Sequence, residues 1–113
     1  NDVTVTLKKV EQDEDSLKLY VTYTNNSKNE ITTNDSLTKI VHNGKQYEYD
    51  SGFNFDRYYE KDVDNAPHSI EPTVSADSVI FFEPISNVDK INIVFHTNIE
   101  DHRFNNVEVK TGP

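Results

Sequence analysis

The chain has 113 residues, 11 basic and 20 acidic side chains, a net charge of −9, and no cysteine, methionine or tryptophan. That length fits one domain able to bury its own core, and the missing cysteines exclude disulfides, thiolate metal sites, Cys nucleophiles and CxxC redox chemistry. The acidic balance argues against nucleic acid or an anionic membrane as partner, because either needs clustered Lys and Arg, and Lys8-Lys9 is no such patch.

Val, Ile, Thr, Tyr and Phe supply 42 residues, whereas Leu, Ala and Met supply 6, so a β protein is expected. Val3, Val5 and Leu7 alternate with Thr4 and Thr6, the period of a strand with one buried face. A charged turn over Glu11 to Asp15 separates it from the clearest strand. There Leu17, Leu19, Val21 and Tyr23 point one way and Lys18, Tyr20, Thr22 and Thr24 the other. Ile31 to Thr33 and Leu37 to Val41 form a third strand region, broken by Asn34-Asp35-Ser36. Asn43-Gly44 marks a hairpin, because a type I′ turn needs positive φ at both central residues, and Lys45 to Tyr49 returns as the partner. Residues 50–69 are the least regular part, with room for a short helix or an extra edge strand. Ile70 to Val74 leads into Ser75-Ala76-Asp77. Val79 to Glu83 follows as a nearly continuous apolar strand, then Lys90 to Thr97, and a last strand from about Arg103 to Lys110. Seven or eight short strands at this spacing are the pattern of an antiparallel β-sandwich. One domain over residues 1–110 is expected, with 111–113 as a frayed tail.

Little of this pattern carries catalytic chemistry. Asp13 and Asp15, and again Asp62 and Asp64, have the D-x-D spacing that sets two carboxylates on one side of a loop, so Asp62 and Asp64 are weak calcium candidates. Neither pair continues as an EF-hand, and a solvated acidic turn is the plainer reading. His42, His68, His96 and His102 are scattered. His96 is expected on the outer face of its strand and His102 in a turn. No G-x-S-x-G elbow is present, so the domain is not expected to be an enzyme, and no cofactor is expected. Asn25-Asn26-Ser27 and Asn34-Asp35-Ser36 match the glycosylation acceptor pattern, which in a bacterial chain reads as two turns.

The aromatic segment is the most informative local feature. Tyr47, Tyr49, Phe53, Phe55, Tyr58 and Tyr59 hold half of the twelve aromatics, and Arg57 lies among them. Two readings stand side by side. In one, Tyr47, Phe53 and Phe55 plug the core while Tyr58 and Tyr59 cover its edge. In the other, Asp56, Arg57, Tyr58 and Tyr59 form a contact surface, since Tyr and Arg are enriched at interface hot spots.

Leu17 to Ser27, Asn43-Gly44-Lys45-Gln46-Tyr47, Ile70-Glu71-Pro72, Ser78 to Pro84 and Lys90 to Phe95, in this order, resemble the DUF4352-type immunoglobulin-like domains of Gram-positive secreted proteins and lipoproteins. Those domains are similar to the mycobacterial immunoprotective extracellular antigen fold. The usual Pro-Gly turn is here Pro72 to Asp77, and Phe53 to Pro67 is more aromatic and acidic than the family pattern. The resemblance implies an extracellular or cell-surface domain without catalytic residues, reached by a signal or anchor ahead of residue 1. The missing methionine fits an excised piece of a longer chain. The expected role is a non-catalytic binding or adhesion module, the alternatives being a structural spacer or accessory domain and a calcium-dependent module. The partners expected are another cell-envelope protein and, through an unpaired sheet edge, a second copy of the chain.

Overall fold

The computed structural model describes residues 2–61, 63, 65 and 67–112. In chain order the strands are β1 (Val3–Gln12), β2 (Leu17–Asn25), β3 (Ile31–Thr32), β4 (Lys39–His42) and β5 (Lys45–Glu48). A helix, α1 (Ser51–Lys61), precedes β6 (Ser69–Ile70), β7 (Ser75–Phe82), β8 (Lys90–His96), β9 (Asp101–Glu108) and β10 (Lys110–Thr111). Two four-stranded sheets, ordered β10-β1-β2-β7 and β5-β4-β8-β9, make a mostly β structure consistent with an all-β sandwich. A small β3-β6 pair lies beside them. No helix among the described residues is long and apolar enough to cross a membrane.

Period-two alternation builds the core. On β2, Leu17, Leu19, Val21 and Tyr23 are buried, while Lys18, Tyr20, Thr22 and Thr24 between them are half-buried. Ile91, Ile93 and Phe95 of β8 and Ile40 of β4 come from the other sheet to complete the same cluster. β1 pairs with β2 along its length in antiparallel register, with one irregularity between Leu7 and Lys9. The β4–β5 hairpin turns at Asn43 (φ 50°) and Gly44 (φ 77°), the two left-handed residues of a type I′ turn.

Two segments differ from expectation. Ser75-Ala76-Asp77 is strand rather than connection. The reversal falls one step earlier, at Pro72-Thr73, where Thr73 takes φ 69° and Val74 N–H donates to Glu71 C=O at 3.2 Å. Pro72 followed by a left-handed residue is the geometry of a type II turn. The last strand divides in two. β9 belongs to one sheet, and Val109 crosses to β10, which runs parallel to the end of β1. Thr111 pairs with Gln12 there, and Gly112 N–H donates to Gln12 C=O at 2.9 Å, so these two residues are tied to β1 rather than frayed; Pro113 lies outside the described residues. His102 sits in β9 opposite Phe95, not in a turn.

α1 is the short helix for which residues 50–69 left room. Asp50 caps it, its carboxylate accepting Phe53 N–H at 3.0 Å, and Asn54 N–H reaches Asp50 C=O at 3.1 Å. The helix packs on β7. β7 is an outer strand of its sheet, and its stretch from Ser78 to Phe82 is buried at every position. Ile80 and Phe82 join the core cluster. Phe81, opposite Lys18 on the other face, meets the Tyr58 ring edge-on at 5.7 Å. The continuous apolar run of this strand therefore reflects cover on two sides.

Candidate functional site

Helix periodicity divides the aromatic segment between two faces. Asn54 and Tyr58, one turn apart, point at β7. The Asn54 side chain is fully buried and imitates a neighbouring strand: its Oδ1 accepts Phe81 N–H at 2.7 Å and its Nδ2 donates to Phe81 C=O at 2.9 Å. Tyr58 Oη donates to Val79 C=O at 2.7 Å. These three bonds satisfy backbone groups that an edge strand otherwise presents to solvent or to another chain. Arg57 lies flat on Phe53, its guanidinium carbon 3.5 Å from the ring centroid. It also donates to Phe53 C=O at 3.2 Å and stands 3.7 Å from the Asp15 carboxylate. A guanidinium over an aromatic face is attracted by the ring quadrupole.

Phe55 and Tyr59, again one turn apart, face the other way. They are 68% and 85% exposed, and Asp56 and Glu60 beside them are exposed as well. Of the residues expected to form a contact surface, Asp56 and Tyr59 are open to solvent, whereas Arg57 and Tyr58 are half-buried and engaged within the domain. Phe55, a core residue on the first of the two readings, is outside. One residue of register decides each of these placements.

Beneath the inner face lies a polar cluster that sequence reading did not find. Asp35 opens the single 3-10 turn among the described residues. Its Oδ1 accepts Tyr23 Oη at 2.5 Å and its Oδ2 accepts Ser78 Oγ at 2.9 Å. Burial pushes the Asp35 carboxyl above the usual carboxylate range, against the opposing effect of the two hydroxyl donors. Burial and the Asp35 charge push the Tyr23 phenol far up. Tyr58 is raised by burial first, then by Tyr49 and Asp35 nearby. Tyr49 is raised by burial and by Asp35. Both Asp35 oxygens are thus spent on internal hydroxyls, an arrangement that locks β2, β7 and the turn together.

The acidic turns separate in the same way. Asp13 accepts the N–H groups of Asp15 and Ser16 at 2.8 and 3.0 Å and the Lys18 ammonium at 2.7 Å, and the Lys18 bond above all holds its carboxyl far below the usual range. Asp62 and Asp64 lie outside the described residues. His96 Nδ1 meets Asp101 at 2.6 Å, His42 Nε2 stands 3.8 Å from Asp89, and His102 Nε2 stands 3.9 Å from Glu100. Each of these histidines faces one carboxylate. Among the described residues no three His, Asp or Glu side chains converge as a metal site would need. No family model matches the chain, and neither a curated protein nor a solved structure matches it.

Proposed function

We propose that this domain is a non-catalytic extracellular binding module of a bacterial cell-surface protein or lipoprotein, and that the outer face of α1 is its contact surface. The observation that carries the reading is the exposure of Phe55 and Tyr59 on a helix whose opposite face packs on β7. Large aromatic side chains are the usual anchors of protein interfaces, and two of them one turn apart form a single patch. Asp56 belongs to this surface, while Arg57 and Tyr58 support it from below.

An immunoglobulin-like identity is part of the proposal. Its support is the strand order: β1, β2 and β7 take the places of strands A, B and E, and β4, β8 and β9 those of C, F and G. That order is compatible with the resemblance to DUF4352-type domains, and the address outside the cell rests on that resemblance alone. An edge-strand homodimer would form along the outer side of β9. The irregular register opposite Ile91 to Ile93, with Asn106 at φ 54°, works against such pairing.

The test uses the purified domain, fluorescently labelled, on intact Gram-positive cells. The domain is expected to be retained, and Phe55→Ala with Tyr59→Ala to lower retention roughly tenfold without changing the melting temperature. Equal retention of the double variant removes α1 as the contact surface. No retention of the unsubstituted domain overturns the binding reading in favour of a spacer.

A further inference from the structure

We infer that the partner of the α1 outer face is a basic protein segment, one presenting Arg or Lys side chains to Phe55 and Tyr59; this rests on the contact surface proposed above. Three half-buried rings of the chain carry a cation, whereas Tyr58 and Phe104 meet other rings edge-on. Arg57 covers Phe53, Lys9 stands 4.4 Å over Tyr20, and Lys45 stands 4.9 Å over Tyr47. Each of these three rings is supplied with a cation from its own neighbourhood. Phe55 and Tyr59 are more exposed than any of them, and among the described side chains, which do not include that of Lys61, no cation stands over either ring. Beside them stand Asp56 and Glu60, both exposed carboxylates.

An arginine or lysine laid across this face meets a ring and a carboxylate together, combining cation–π attraction with an ion pair. The remaining charge of the domain points the same way. At −9 the chain as a whole draws a basic partner towards it and repels nucleic acid and anionic lipid. A second copy on the same face would bring Asp56 and Glu60 against their own equivalents, and like charges in register oppose that contact.

The experiment titrates a deca-arginine peptide into the isotopically labelled domain, following backbone amide shifts, with deca-glutamate as the opposite-charge control. Deca-arginine is expected to shift the amides of α1, and deca-glutamate to shift none of them. Phe55→Ala with Tyr59→Ala keeps the net charge and is expected to weaken deca-arginine binding about tenfold. Asp56→Asn with Glu60→Gln is expected to weaken it and to flatten its salt dependence. Unchanged binding by the double alanine variant overturns the inference, because attraction to the overall charge would then suffice. Shifts spread evenly over the acidic surface overturn it too. If cell retention still depends on Phe55 and Tyr59 while deca-arginine binding does not, the contact surface stands and the basic partner falls.

Discussion

The two faces of α1 are built from the same residue types and do opposite things. Inward, Tyr58 and Asn54 complete the backbone bonding of β7. Outward, Tyr59 and Phe55 leave most of their surface in water. Tyr58 and Tyr59 are neighbours in sequence, yet one helical step of about 100° places them on different sides of the helix. The comparison teaches that clustering of aromatics along a chain says little until the local period is known. As a strand, 53, 55 and 59 would have shared a face; as a helix, 55 and 59 share one and 54 and 58 another.

The inner face is where substitution should cost most. Asn54→Ala removes both partners of Phe81, leaving a buried N–H and C=O unpaired on a strand that α1 closes off. A loss of about 2–4 kcal/mol is expected, read as a fall on the order of 10 °C in the melting temperature. A fall of only a degree or two would mean that water replaces Asn54 and that α1 lies loosely on β7. Tyr58→Phe keeps the ring against Phe81 and deletes the hydroxyl, with its bond to Val79 C=O and its contacts to Ser78 and Tyr49. About 1–1.5 kcal/mol is expected from chemical denaturation, clearly less than for Asn54→Ala.

Acidity sharpens the same contrast between enclosed and open carboxylates. The Asp35 carboxyl, beneath the inner face, is raised by burial relative to the unfolded chain. Its protonated form therefore favours the fold: the contribution is full below the unfolded carboxylate range and is lost as pH rises through the folded value. Asp13, in an open turn, is lowered by Lys18 and backbone N–H groups, so its contribution is present above the unfolded range and lost as pH falls. Urea unfolding against pH should therefore show Asp35→Asn gaining on the unsubstituted domain as pH rises above the unfolded carboxylate range. Asp13→Asn should instead lose its disadvantage only in acid. Parallel profiles for the domain and Asp35→Asn would show that the carboxyl of Asp35 is not enclosed.

Much of this architecture is legible in the residues. The alternation in β2, the Asn43-Gly44 turn and the strand order along the chain follow from side-chain period and turn chemistry, which are local. The helix is harder to read. Residues 51–61 contain Gly52 and four aromatics and no strong helix-former until Arg57, so intrinsic propensity argues against it. What forms it is tertiary: the Asp50 cap at one end and the uncovered side of β7 along its length. One signal was present, since Val79 to Phe82 is apolar at every position in a chain that otherwise alternates, and such a run needs cover on both faces. The Asp35 cluster left a fainter trace. Tyr23 continues the buried row of Leu17, Leu19 and Val21, and a buried phenol needs an acceptor. Which of the 20 acidic residues supplies it depends on how the turn after β3 folds back, a non-local matter.

The smallest expected effect on stability falls on the outer face, and it is the one that decides the comparison. Truncating Phe55 and Tyr59 together removes side chains that are mostly in water and carry no bond on which β7 depends. Their methylene groups and rings contribute little burial, so the double alanine variant should unfold within about 0.5 kcal/mol of the parent. Alanine also has the higher helix propensity at exposed sites, which offsets part of any lost contact between the two rings. A loss of several kcal/mol would show that the outer face is packed against the body of the domain, and the contact surface would have to be sought on the sheets. A negligible loss leaves two large aromatic side chains with no structural task. On the proposed reading, those side chains are kept for what they touch in another molecule.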